Sequence, residues 1–354
     1  MTLSPAVEVM SVRGKIQSDQ LGVCLPHEHL LNDVRSWWKA SQVPGINPDT
    51  YRDATVSAEI LWELRNDPFG NLDNCQMSDM KVAESELRYF RDLGGMSIVE
   101  TTSISIGRDL TRLRELSIVT GLNVIAGTGF YLDSSIPPEI KASSEEDLIQ
   151  LMLNDLDQGT DGVRPGIIGE IGVSSEFTSA EKKSLRAAGG VQTRTQLPIQ
   201  VHLPGWFRLG HRVLDTLEEV GVDPAHVVLC HMGPSGEDTE YQTSLAKRGA
   251  WLQYDMIGME VFYSDQGVQC PSDTENATNI LRLADFGFAK QILISQDIFL
   301  KSLLRSNGGP GFGHILQFFG PRLRRMGADA GLIEQLLETN PRRMFELPKE
   351  KNVR

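Results

Sequence analysis

A chain of 354 residues, 40% hydrophobic and 23% charged, has the composition of an ordinary globular protein long enough to bury a sizeable core. A formal charge of −13 excludes the basic footprint that nucleic acid requires, and no apolar run approaches the roughly 18 residues of a membrane span. Residues 1–14 carry Glu8 and Arg13 and no apolar run of signal-peptide length, so a cytoplasmic protein is expected.

In chain order, residues 7–20 read as a short extended hairpin with Gly14 near its turn. The first strand-like run, 21–30, contains Leu25-Pro26-His27-Glu28-His29-Leu30. Strand side chains alternate, so His27 and His29 aim one way and Glu28 the other. Two imidazoles on one face make half of a metal site; the alternative is a pair of surface or hydrogen-bonded core histidines. Residues 31–80 form a long insertion with Trp37, Trp38 and a helical patch at 54–65. Such an insertion either walls a pocket or covers the side of the domain.

From there β-rich and helical runs alternate. The strands read at 96–102, 123–131, 166–173, 198–203, 226–232, 251–257 and 291–298. The helices read at 82–93, 110–120, 145–158, 179–195, 210–220, 239–248 and 278–286, with closing helices at 314–326 and 330–340. With the first run there are eight strands. Eight βα units predict a (β/α)8 TIM barrel, one domain over residues 1–354 with the hairpin as an N-terminal extension. An open doubly wound sheet is the alternative, but no G-x-G-x-x-G or other phosphate-cradling motif is present. Cys24, Cys75, Cys230 and Cys270 have no C-x-x-C spacing and are expected to be reduced and mostly buried.

His202 ends the fifth strand, His231 the sixth and Asp297 the eighth. In a barrel all carboxyl strand ends converge on one mouth, where barrel enzymes keep their chemistry. The fourth strand, Gly166-Ile167-Ile168-Gly169-Glu170-Ile171-Gly172, places an acid among apolar residues. A buried carboxylate must be paired, protonated or bound to a cation. The remaining histidines, His211, His226 and His314, fall on a helix, at the opposite strand end and at a helix start, and are read as structural.

The order His27-x-His29, an acid on strand four, His202, His231 and Asp297 resembles the phosphotriesterase-related branch of the amidohydrolase superfamily. The resemblance extends through Ile106-Gly107-Arg108-Asp109, Gly127-Thr128-Gly129-Phe130-Tyr131 and Asn340-Pro341-Arg342-Arg343. It implies a binuclear metal centre, with His27, His29 and Asp297 on the more buried ion and His202 and His231 on the more exposed one. Phosphotriesterases and related lactonases bridge their metals with a carboxylated lysine on strand four, and this chain has no lysine between Lys141 and Lys182. Glu170 resembles instead the bridging glutamate of the family's other subgroup. Aligned without a gap, the lysine position falls on Gly169, and a one-residue offset would turn Glu170 to the opposite face. A bulge at the glycines would restore its aim; otherwise Glu170 sits behind a ligand histidine.

The ligand set is compatible with Zn2+, Mn2+, Fe2+ or Co2+, with zinc the default for two divalent ions per chain. The implied activity is hydrolysis of a carboxyl derivative (amide, carboxyl ester or lactone) by a metal-bridging hydroxide, with Asp297 as catalytic proton acceptor. Organophosphate triester hydrolysis and a non-catalytic metal-binding barrel are the alternatives. Tyr131, Trp206, Phe207, Phe262 and Tyr263 stand where they would line the mouth around a small-molecule substrate; Arg208, Arg282 and Lys301 are candidate anchors for an acidic group. No nucleic acid or membrane partner is expected. The resemblance is compatible with a homodimer that uses Trp37 and Trp38, against a monomer.

Overall fold

The computed structural model describes residues 6–346; residues 1–5, part of the opening stretch read above, and 347–354 lie outside it. Strand Glu8–Ser11 pairs antiparallel with Gly14–Gln17, with Gly14 at φ 110° in the turn, and this hairpin leads into the barrel. The barrel strands are β1 (Cys24–Glu28), β2 (Ser97–Glu100), β3 (Asn123–Thr128), β4 (Ile167–Gly172), β5 (Ile199–His202), β6 (Val227–Leu229), β7 (Trp251–Tyr254) and β8 (Ile292–Ile294). They lie side by side in chain order, and every paired neighbour is parallel. This is the (β/α)8 arrangement expected from the alternation.

Helices α1 (Met80–Asp92), α2 (Leu110–Thr120), α3 (Glu145–Gln158), α4 (Ser179–Thr195), α5 (Gly210–Glu218), α6 (Thr239–Lys247) and α7 (Asp273–Leu283) return the chain between strands. Local chemistry sets their starts. Ser144, Thr178 and Ser272 each form a capping box with the acid three residues on, and Asp79 accepts from the amides of Lys81 and Val82. Of the helical patch expected at 54–65 the structure keeps the 3-10 turn Ala58–Ile60 and the helix Leu61–Asn66, while 54–57 is non-helical and a separate helix, Pro48–Asp53, precedes it and ends where the chain turns extended at Ala54.

One apolar cluster takes Cys24, Val99, Ile125, Ile167, Val228, Trp251 and Leu293 from seven strands and packs them with Val9, Leu21 and Met344. Val9 and Leu21 precede β1, so this cluster closes the amino end of the barrel and leaves polar chemistry to the carboxyl end. The seam between β1 and β8 carries no ladder among the described residues. Side chains span it: the Glu28 carboxylate accepts from Ser295 Oγ (2.8 Å) and from the amides of Gln296 (2.8 Å) and Ile298 (2.9 Å). Ser295 Oγ in turn accepts from the His27 amide at 3.1 Å. All four cysteines are free and buried, and no helix among the described residues is long and apolar enough to cross a membrane.

Candidate metal centre

The strand ends bring all six expected ligands together. His29 Nε2 lies 3.2 Å and His27 Nε2 3.6 Å from Asp297 Oδ1. Across from them, His202 Nδ1 approaches His231 Nε2 to 2.8 Å. Glu170 stands between the two groups: its Oε1 is 3.6 Å from His29 Nε2, and its Oε2 is 3.3 Å from His202 Nδ1 and 3.2 Å from His231 Nε2. The aim of Glu170 follows from a register shift against β5 between Ile168 and Ile171, with Gly169 at φ 122°. The break in alternation puts Glu170 on the face that its parity alone would deny it.

The two strand-end ligands with left-handed backbone are each held by a buried carboxylate. Asp297 (φ 50°) is flanked by the two amides that Glu28 accepts, and the amide of His231 (φ 58°) donates to both oxygens of Asp255 at 3.0 and 3.1 Å. A non-glycine residue in this region costs about 1–3 kcal/mol, so the surroundings must hold it there.

The imidazoles are also fixed in orientation. His231 Nδ1 donates to Asp255 Oδ1 at 2.8 Å, which turns Nε2 toward the centre. His29 Nδ1 donates to Thr102 Oγ1 at 2.9 Å, and Thr102 donates onward to Glu100 Oε1 at 2.5 Å, again turning Nε2 inward. Asp255 Oδ2 also faces His27 Nδ1 at 3.5 Å, so this one carboxylate stands behind a ligand of each group. Sequence reasoning missed Asp255, Glu100 and Thr102. Asp255 could have been found, since it follows β7 as Asp297 follows β8.

Burial disfavours ionised Glu170, but the charge of His27 and the hydrogen bonds of His202 and His231 outweigh it and hold the carboxyl well below its usual range. Burial likewise opposes a charge on His29, yet its hydrogen bond to Asp297 and the charges of Asp297, Glu170 and Glu100 bring it up to about 9. The cluster is a concentrated negative field that stabilises positive charge at its centre. Burial, with the Glu170 and Asp297 charges, pushes the Tyr131 phenol well up, so its hydroxyl stays neutral beside His202 Nδ1 at 3.1 Å.

The residues fit a metal centre. Both ring nitrogens of the fully buried His27 lack a hydrogen bond, an arrangement that costs about 1–3 kcal/mol per polar atom unless something else satisfies it. Donor atoms of His27, His29 and Asp297 lie within 4.8 Å of one another, as do those of His27, Glu170 and His231. Imidazole nitrogens with carboxylate oxygens suit Zn2+, Mn2+, Fe2+ or Co2+.

Above the centre opens a cavity of about 490 Å3. Tyr131, Trp206, Phe207 and Tyr263 line it as expected; Phe262 and Arg282 do not. Phe262 precedes Tyr263 in a two-residue strand, and alternation turns it away. Arg282 lies on α7 and donates to Thr239 Oγ1 on α6 at 3.3 Å, outside the barrel. The other candidate anchors are also engaged elsewhere, Arg208 with Asp238 at 2.8 Å and Lys301 with Asp73. Val34, Ser36, Trp37 and Lys39 of the insertion line the cavity, so the insertion walls the pocket. His211 bonds Ser244 (2.7 Å), His226 closes the turn before β6 and His314 bonds Asp273 (2.8 Å), all away from the centre.

Residues 7–345 match the model of the phosphotriesterase family. A solved structure described as a resiniferatoxin-binding protein from Rhodobacter sphaeroides superposes with a TM-score of 0.93 at 51% identity, covering 97% of each chain. The phosphotriesterase homology protein from Escherichia coli, complexed with phosphate in its active site, superposes with a TM-score of 0.76 at 26% identity, covering 92% of this chain and 99% of its own. In sequence, the N-acetyltaurine hydrolase of Danio rerio is 33% identical over 342 residues, 95% of this chain and 97% of its own. With its barrel, its buried His, Glu and Asp cluster and a match over nearly its whole length, the chain belongs to the phosphotriesterase family of hydrolases.

Proposed function

We propose that the chain is a binuclear metal-dependent hydrolase of carboxyl derivatives, an amide, carboxyl ester or lactone. The observation that carries this reading is the central position of Glu170, with Oε1 toward His29 and Oε2 toward His202 and His231, and with His27 at 3.6 Å from Oε2. His27, His29 and Asp297 would hold the more buried cation and His202 and His231 the more exposed one, with Glu170 placed to serve both. When bound, two such cations, with zinc the first choice, supply a water of lowered pKa and a Lewis acid for the oxygen of the scissile group.

Asp297 takes the proton of the attacking water and hands it to the leaving group as the tetrahedral intermediate collapses. Glu28, gripping the amides on both sides of Asp297, keeps that carboxylate from swinging out of line. Tyr131, neutral beside His202, offers a hydroxyl to the developing oxyanion. The amide-cleaving relative named N-acetyltaurine hydrolase supports carboxyl over phosphoryl chemistry, as does the glutamate in place of a carboxylated lysine. The relative described as resiniferatoxin-binding supports a pocket able to take a large organic ligand.

The test is a panel of aryl esters, lactones, N-acyl amino acids and paraoxon, assayed after metal reconstitution. Turnover of a carboxyl substrate well above paraoxon is expected. Absence of turnover across the panel, with metal bound, would favour a binding barrel.

A further inference from the structure

Five aromatic rings form a continuous arc, four lining the mouth and Phe69 buried behind it. Trp206 meets Tyr263 with centroids 5.6 Å apart, Tyr263 meets Phe69 at 4.9 Å, Phe69 meets Trp37 at 5.0 Å and Trp37 meets Tyr131 at 6.3 Å. Tyr131 then lies against the His202 ring at 4.9 Å, so the arc ends on a metal ligand. These separations are those of mutually supporting aromatic pairs, and each ring comes from a different loop or from the insertion. The wall is therefore one assembled surface.

Charge along this surface is balanced. Lys39 is the one lysine or arginine lining the cavity, and Asp265 lines the same cavity. The charge of Lys39 acts on the Asp265 carboxyl against that of Asp67, a buried residue whose Oδ1 accepts from Ser264 at 2.5 Å. A distal sulfonate or carboxylate of a substrate would meet one cation offset by one acid of the same lining, and would lose its hydration against apolar rings.

From the arc and this charge balance we infer that the substrate is neutral away from its reacting carbonyl, carrying a bulky aryl or alkyl group that seats against Trp37, Tyr263 and Trp206, with Phe69 packed behind them. This rests on the hydrolase reading and narrows it to apolar esters or lactones rather than N-acyl amino acids or N-acyl aminosulfonates with a free acid.

The test compares 2-naphthyl acetate with its 6-sulfonate on the metal-reconstituted full chain, and, for binding alone, 1-(2-naphthyl)propan-2-one with its sulfonate by tryptophan fluorescence. The neutral member of each pair is expected to have kcat/KM, and affinity, at least about tenfold higher. Trp37→Ala should raise KM for the neutral ester about tenfold with a smaller change in kcat, and Trp37→Phe should recover most of it. Equal or tighter binding of the sulfonated ketone would overturn the inference. Preferential binding of the neutral ketone without turnover of either ester would uphold the pocket assignment and overturn the hydrolase reading.

Discussion

The floor and the wall of this pocket are built differently. On the floor, the six candidate ligands project from strand ends, buried, with imidazole orientations and carboxylate positions set by Thr102, Glu28 and Asp255. The wall comes from loops and from the insertion, whose rings hold one another by stacking and edge contacts. A sheet fixes where a side chain points to within a fraction of an ångström, which metal chemistry needs; loops can be exchanged without disturbing it. In the proposed hydrolase the reaction would belong to the floor and selectivity to the wall.

The largest effect should come from the floor. Asp297→Asn is expected to lower kcat about 10²–10⁴-fold while leaving metal bound, measured by steady-state kinetics alongside elemental analysis. Next comes the support beneath the ligands. Asp255→Asn should weaken retention of both ions by about 10–100-fold, because Asp255 backs His231 in one group and His27 in the other. Glu100→Gln should weaken only the more buried ion, by about tenfold, because its relay reaches His29 alone. Timed dialysis against a chelator separates the two variants. Equal behaviour would mean that the groups are not supported separately. At the small end, Phe262→Ala and Arg282→Ala should keep kcat/KM within about twofold, since neither side chain reaches the cavity.

The floor was legible in the sequence because its signals are periodic. Eight βα repeats place the strand ends, and a histidine or aspartate closing a strand is then a ligand by position. Glu170 was harder, since its parity was wrong and only the register break beside Gly169 corrects it. Asp255 leaves a weaker trace, because it closes β7 alone and meets His27 and His231 only through tertiary contacts. The wall was legible in part: Tyr131, Trp206, Phe207 and Tyr263 could be placed from the strands they follow, while the share of the insertion could not. Trp37 sits in an irregular insertion, so its packing against Phe69, far along that insertion, has no periodic trace. The anchoring role considered for Arg208, Arg282 and Lys301 failed for the same reason: their partners are set by tertiary contacts.

The account stands on Glu170 lying between two cations. Anomalous diffraction from crystals grown with zinc, recorded on both sides of the zinc edge, tests this directly. Two peaks are predicted, one on each side of the Glu170 carboxylate and each about 2.0–2.2 Å from one of its oxygens. A single peak, or none, with Glu170 hydrogen-bonded to His202 or His231 instead, would contradict it.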